Sequence, residues 1–201
     1  MAEAPCLQPR LDAERLRRSF LAPGRRVPSG DAGAPAGNLT PAAVLVPLVV
    51  QPDGLQVLLT RRTDHLHHHP GQISFPGGRV ERGDDSPVTT ALRETEEEIG
   101  LPPDRIELLG ELPDYRTGTG FRIRPVIGLV HPPFDLRLDA FEVAEAFQVP
   151  LDFLMNPAHH QIHRMEYRGC LREYHAMPYG DYFIWGATAG ILVSLHGLLR
   201  D

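Results

Sequence analysis

Apolar runs along the chain predict a mixed sheet packed between helices. Two β-type runs, Val44–Val50 and Leu55–Thr60, flank the turn-forming residues Gln51-Pro52-Asp53-Gly54. Further strands are predicted at Ile73–Phe75, Ile106–Leu112, Phe121–Val130, Val143–Val149, Met165–Cys170 and Leu171–Met177. The strands outnumber the helices, and the helices fall between and after them, which favours a layered α and β architecture.

The pattern also predicts helices near both ends of the chain. Leu11–Leu21 is amphipathic, Leu151–Met155 is a short helical turn, and Phe183–Leu199 is apolar enough for a buried terminal helix. The stretch Pro23–Gly37, rich in Pro, Gly and Ala, is typical of an irregular linker. We therefore expect an N-terminal helix and linker over residues 1–37, followed by one domain over residues 38–201.

One further helix, predicted at about Pro87–Ile99, carries the most informative pattern. Ser86 suits its N-cap, Pro87 its first turn, and Gly100 a left-handed C-cap. At about 100° per residue, one side of this helix is suited to pack on the sheet. That side comprises Val88, Ala91, Leu92, Thr95 and Ile99.

Three glutamates of this helix form a separate stripe, because Glu94, Glu97 and Glu98 are spaced i, i+3 and i+4. Like charges at this spacing repel, and Arg93 can offset part of the repulsion by reaching Glu97. A solvated acidic face is one interpretation of the stripe. The other is a site for a hard divalent cation, with a backbone carbonyl of Gly77 or Gly78 as an extra ligand. Such a cation neutralises phosphate oxygens and activates water.

Composition narrows the functional classes. The chain has 201 residues, a formal charge of −6 and two cysteines without metal-ligand spacing. This charge does not favour a nucleic-acid surface, and the cysteine usage favours the reducing cytoplasm over a disulfide framework. The longest apolar run, Ala42–Val50, contains Pro47 and is too short to span a membrane. The oligomeric state is left open between a monomer and a homodimer.

The acidic helix resembles the Nudix hydrolase signature. The run Arg93-Glu94-Thr95-Glu96-Glu97-Glu98-Ile99-Gly100-Leu101 matches the second half of the family pattern in full. The first half departs from the pattern, because Asp84 stands where the family has Glu, and eight residues rather than seven separate it from Arg93. The resemblance implies an α+β fold with a mixed sheet in an α/β/α sandwich and a strand–loop–helix active-site motif.

An upstream block is similar to the motif of the coenzyme A pyrophosphatase branch. It runs from Leu58-Leu59-Thr60-Arg61-Arg62-Thr63 through His67 and Gly71 to Phe75-Pro76-Gly77-Gly78. The spacing is met throughout, but Thr63 replaces Ser or Ala and His67 replaces Arg. The resemblance implies hydrolysis of the coenzyme A pyrophosphate with Mg²⁺ or Mn²⁺, giving 3′-phospho-AMP and 4′-phosphopantetheine or its acyl form.

The resemblance also implies residue roles. Glu94, Glu97 and Glu98, with the Gly78 carbonyl, are the expected metal ligands; Glu94, Glu97 and Arg93 are the expected catalytic group, with Arg93 orienting the glutamates. The general base is left open between Glu94 and an acid outside the helix, Glu142 or Glu145.

The expected substrate contacts are Arg62, His67, Gly71 and Phe75. His65, His67, His68 and His69 are interpreted as a polar loop over the active site, with a zinc site as the weaker alternative. Tyr182, Phe183 and Trp185 are expected in the core or an interface rather than as an adenine platform.

Two other functions stay open: hydrolysis of another nucleoside diphosphate derivative, such as ADP-ribose or a dinucleotide, and a non-hydrolytic nucleotide-binding regulator.

Overall fold

A computed structural model describes residues 11–21, 29–31, 34, 37–66, 69–167 and 169–200. His67, His68 and most of the predicted linker lie outside these residues. Within them, eight strands form one mixed sheet whose central order is β3-β2-β1-β7-β5. The eight are β1 (Thr40–Gln51), β2 (Gly54–Arg62), β3 (Ile73–Ser74), β4 (Gly77–Arg79), β5 (Ile106–Glu111), β6 (Tyr115–Arg116), β7 (Phe121–Val130) and β8 (Val143–Pro150).

The central strand β1 connects the two halves of this sheet. It runs parallel to β7 and antiparallel to both β2 and β4, which pair with successive parts of the same edge of β1. Strand β8 adds to β2 in antiparallel register, while β6 adds to β7. The pairing of β4 places Gly77 and Gly78 opposite Val44 and Ala43, which fixes this glycine pair in the sheet.

Alternating side chains of β1 fill hydrophobic cores on both faces of the sheet. Val46 and Leu48 belong to the larger core, whereas Leu45 and Val49 belong to two smaller ones. Because side chains alternate along a strand, a helix layer covers each face. Helix α2 (Pro87–Ile99) packs on one face; α1 (Ala13–Leu21), α3 (Leu151–Leu154) and α4 (Ala187–Leu199) contribute to the larger core on the other. This arrangement confirms the predicted α+β sandwich.

Most predicted elements are confirmed within one to four residues, and the end of the chain is the exception. The predicted helix Phe183–Leu199 is wrong at its start, because Tyr182–Trp185 forms strand β11. It pairs with β10 (Cys170–Tyr179), which also pairs with β9 (Gln161–Tyr167) in a second, three-stranded sheet. Gly186, at φ +65° and ψ −136°, then turns the chain before the helix begins at Ala187. The apolar pattern of the sequence alone did not reveal this change from strand to helix.

Two short strands, β4 and β6, were not predicted. Each has two or three residues and exists through pairing with a distant strand, a contact that local pattern does not encode.

Among the described residues, no helix is long and apolar enough to cross a membrane.

Helix α1 is joined to the sheet by a buried apolar residue and an ion pair. Leu16 is fully buried in the larger core. The Arg17 guanidinium donates through Nε and Nη2 to the two carboxylate oxygens of Glu107 in β5, at 2.6 and 2.8 Å. His131 Nε2 lies 3.0 Å from the same carboxylate. The Arg17 contact, aided by His131, lowers the pKa of Glu107 from 4.5 to about 2.

This lowered pKa predicts acid-sensitive docking of α1. The Glu107 carboxylate stabilises the fold above its unfolded pKa, and that contribution is lost as pH falls from 4.5 towards 2. We expect Glu107→Gln to lower the free energy of unfolding by about 1 kcal/mol at neutral pH, since the pair is partly exposed. Urea unfolding should show this difference shrinking towards pH 2. An unchanged difference at every pH would contradict the assignment.

Candidate active site

Helix α2 begins and ends as its sequence predicts, and this fixes which residues face β4. The Ser86 hydroxyl accepts a hydrogen bond from Thr89 N at 3.1 Å. At the other end Gly100 adopts φ +68°, and its N–H donates to Glu96 O at 2.9 Å. This left-handed geometry is strained for residues with a Cβ, which accounts for the glycine.

The carboxylate of Glu98 is buried where α2 meets the sheet. Its side chain is 7% exposed, and Oε2 accepts a hydrogen bond from Gly77 N at 3.2 Å. Arg62 Nη1, from the end of β2, lies 3.7 Å from Oε1. Burial raises the pKa of Glu98 to about 8, against the lowering effects of the Gly77 amide and of Arg62. The Gly77 amide and Arg62 therefore offset only part of the cost of burying this negative charge.

The carboxylate of Glu94 lies directly over Gly78. A Cβ at position 78 would overlap the carboxyl carbon and both oxygens of Glu94, so the missing side chain makes room for this group. Burial raises the pKa of Glu94, while the neighbouring Arg93 opposes that rise. Glu94 and Glu98 therefore approach the same glycine pair from one helix.

Arg93 holds several acids of the motif in place. Its Nε and Nη2 donate to the two oxygens of Asp84, each at 3.1 Å. Its Nη1 lies 3.0 Å from Glu94 Oε1 and 3.0 Å from Glu97 Oε2. The predicted Arg93–Glu97 contact is thus confirmed, and Asp84 serves as the anchor of Arg93. Asp84 lies before the helix, so the helical periodicity did not predict its contact with Arg93.

Two acids outside the helix occupy different environments. Glu142 Oε2 lies 3.8 Å from Arg62 Nη2, and its charge contributes to the raised pKa values of Glu94 and Glu98. Glu145 instead receives hydrogen bonds from Arg61 Nε at 3.2 Å and the Tyr182 hydroxyl at 2.6 Å. Glu142 therefore belongs to the same cluster as the helix acids, whereas Glu145 belongs to a separate group.

The structure brings together some of the residues predicted from sequence and separates others. Arg62, Arg93, Glu94 and Glu98 cluster around the glycine pair. Glu97 is paired with Arg93 and has a side chain 59% exposed. Gly71 takes φ +66° in the loop before β3.

Phe75, an expected substrate contact, is 3% exposed and its side chain packs within the larger core. His67 lies outside the described residues. The metal and substrate roles of all these residues stay predictions.

The donor chemistry of this cluster fits a hard divalent cation. Carboxylate and carbonyl oxygens are the ligands that Mg²⁺ and Mn²⁺ prefer, and the buried Glu98 carboxylate lacks full compensation by protein donors. In the part of the chain that the structure describes, no three acidic, histidine or cysteine side chains converge closely enough to hold an ion as they stand. The Glu94, Glu97 and Glu98 ligand set therefore requires Glu97 to turn away from Arg93.

Comparisons with known proteins found similarity over most of the chain. A family model described as the NUDIX domain matches residues 39–166. The uncharacterized Nudix hydrolase NudL of Enterobacter sp. (strain 638) is 39% identical over 160 residues, which cover 79% of this chain and 82% of that protein. Its namesake from Escherichia coli (strain K12) is 40% identical over 159 residues, with the same coverage. The crystal structure of RenU, a Nudix hydrolase from M. smegmatis, aligns at a TM-score of 0.49 with 24% identity, covering 64% of this chain and 81% of that chain.

The close approach of Glu94 to Gly78 predicts a selective effect of adding one methyl group. Gly78→Ala should displace the flexible Glu94 carboxylate, retain the fold, and weaken Mn²⁺ binding by about 10–100-fold. Calorimetric titration with Mn²⁺ measures this loss. Gly37→Ala is the matched control, because a Cβ there has nothing within 4 Å. Equal Mn²⁺ affinity in the two variants would contradict the placement of Glu94 in the cation site.

Proposed function

The chain belongs to the Nudix hydrolase family, and on that premise we propose that this pyrophosphohydrolase acts on coenzyme A or its derivatives. The proposed products are 3′-phospho-AMP and 4′-phosphopantetheine or its acyl form. The family membership supports cleavage of a pyrophosphate bond in a nucleoside diphosphate derivative. The motif from Leu58 to Gly78 supports the choice of coenzyme A among such substrates.

The observation that carries this proposal is the position of Arg62. This residue belongs to the coenzyme A motif, and its guanidinium lies between Glu98, at 3.7 Å, and Glu142, at 3.8 Å. A guanidinium here can bind phosphate oxygens beside the carboxylates that would hold a cation. The coenzyme A motif and the acidic helix α2 thus supply side chains to the same site.

The acids of α2 would bind the divalent ion that Nudix hydrolases use. Glu94, Glu98 and the Gly78 carbonyl are the proposed ligands, joined by Glu97 once it leaves Arg93. A cation bound there supplies charge neutralisation of the phosphates and a more acidic water. Arg93, anchored by Asp84, keeps Glu94 and Glu97 oriented before substrate arrives.

Glu142 is the proposed general base among the three acids considered. Its side chain is 41% exposed, so it can reach a water molecule, and it lies within the Arg62 cluster. Glu94 lies close against Gly78 as a proposed metal ligand, and both oxygens of Glu145 are engaged by Arg61 and Tyr182. In this scheme Glu142 removes a proton from the attacking water while Arg62 orients the phosphate.

The proposed function predicts turnover of coenzyme A with a defined dependence on Glu98. Incubation with coenzyme A and Mg²⁺ or Mn²⁺ should release 3′-phospho-AMP, measured by chromatography. Glu98→Gln should lower the rate by about 100-fold or more, because it weakens metal binding. Glu96→Gln is the matched control on the same helix, since Glu96 is exposed and points away from the cluster.

The substrate panel separates the alternatives. Turnover of ADP-ribose or dinucleoside polyphosphates with none of coenzyme A would contradict the substrate assignment alone. Turnover of none of these compounds would point to a nucleotide-binding regulator on the same fold. A wild-type rate in Glu98→Gln would contradict the metal-ligand assignment.

The assignment of the base predicts different effects at two nearby glutamates. Glu142→Gln should lower kcat by about 100-fold to 10,000-fold with a smaller change in KM, because proton removal contributes in the transition state. Glu145→Gln should retain near-wild-type kcat, since Glu145 serves Arg61 and Tyr182. Steady-state kinetics measure both. A larger loss of kcat in Glu145→Gln would reverse the assignment.

A further inference from the structure

An exposed aromatic ring lies at the rim of the candidate active site. Phe141 is 65% exposed, more than Phe183, the other exposed phenylalanine of the described residues, at 43%. The residue after it is Glu142, whose carboxylate contacts Arg62. The ring is therefore one residue away from the cluster that would hold the phosphates.

The backbone around Phe141 is held firmly. Its N–H donates to Asp139 Oδ1 at 2.8 Å, and its carbonyl accepts from the Thr63 hydroxyl at 2.7 Å. Thr63 N also donates to Glu142 O at 3.0 Å. These bonds link the turn before β8 to the end of β2, where Arg62 lies. Thr63 is one of the two departures from the coenzyme A motif. Its hydroxyl thus holds the backbone of Phe141 in place.

A second aromatic side chain lies beside this ring. The His65 imidazole is tilted at 58° to the Phe141 ring, with centroids 4.9 Å apart. His65 belongs to the loop that follows Arg62 and leads towards the glycine pair. An aromatic residue whose backbone is hydrogen-bonded and whose ring packs on a second ring loses less conformational entropy when a planar ligand stacks on it than an unsupported one does.

Two of the other aromatic residues, Tyr182 and Trp185, are already engaged with neighbouring rings. Tyr182 stacks on Phe147 at 3.7 Å, and Trp185 meets Tyr174 edge-on at 5.3 Å. The Tyr182 hydroxyl is also bound to Glu145. These contacts agree with the expected packing role of Tyr182 and Trp185, whereas Phe183, expected to pack with them, is 43% exposed on β11 of the second sheet. Phe141 is therefore the better-placed platform.

We propose that Phe141, with His65 beside it, is the stacking site for the purine base of the substrate nucleotide. The inference rests on the proposed function in taking a nucleotide as substrate, and it adds which residues recognise the base. Stacking on an aromatic side chain stabilises a bound base by about 1–3 kcal/mol, which corresponds to about 5–150-fold in affinity. The base then lies at the rim while the phosphates reach Arg62.

Tryptophan fluorescence tests this site directly. Trp185 is the one tryptophan in the sequence, so the double variant Phe141→Trp with Trp185→Phe reports from position 141 alone. We expect saturable quenching by 3′-phospho-AMP and none by ribose 5-phosphate, which lacks the base. Phe141→Ala should bind 3′-phospho-AMP about 10-fold more weakly by calorimetry, and Phe141→Tyr should restore binding. In turnover, Phe141→Ala should raise KM by a similar factor and leave kcat nearly unchanged.

The control is Leu171→Ala, because Leu171 is 70% exposed but lies on β10 of the second sheet. Equal affinity for 3′-phospho-AMP in wild type and Phe141→Ala would overturn the base site even if coenzyme A is hydrolysed. If coenzyme A is not hydrolysed but Phe141 still governs binding of adenine nucleotides, the base site stands and the substrate assignment fails. A loss of self-association in Phe141→Ala with unchanged affinity would assign Phe141 to a contact between copies of the chain.

Discussion

The burial of the Glu98 carboxylate is the constraint on which the rest of the site depends. A charged group removed from water is costly unless donors or cations surround it. The chain provides one backbone amide, from Gly77, and one guanidinium, from Arg62. The Gly77 amide is in place because β4 pairs with β1 and holds the glycine pair against α2, while Arg62 comes from the end of β2. The raised pKa of Glu98, about 8, shows that these donors do not fully offset burial.

Neighbouring acids reduce the cost of burying their charge by different means. Glu94 occupies the space that the missing side chain of Gly78 leaves, while Arg93 lies against its carboxylate. Arg93 itself is secured by Asp84, whose pKa it holds well below the usual range. The result is a set of carboxylates kept close together against their mutual repulsion. Such an arrangement concentrates carboxylate groups at a position where a cation could bind together with a pyrophosphate.

Local sequence signals predicted the frame of the site well. Ser86, Pro87 and Gly100 defined α2, because caps depend on residues adjacent in sequence. The helical wheel also placed Arg93 within reach of Glu97. It could not tell that Glu98 is buried while Glu97 is exposed, since that difference depends on where β4 lies. The Asp84–Arg93 pair and the hydrogen bond from Thr63 to the Phe141 carbonyl depend likewise on contacts that the local pattern does not encode.

The most direct test of this site is the pKa of Glu98, measured by carbon-detected NMR with labelled glutamate. In protein freed of divalent ions by a chelator, the carboxyl should titrate near 8 rather than at the ordinary 4.5. Addition of Mg²⁺ should return its pKa to the ordinary range or below, because a bound cation favours the ionised form. An ordinary pKa without Mg²⁺, or a raised pKa that Mg²⁺ leaves unchanged, would contradict the view that Glu98 is a buried carboxylate suited to a cation.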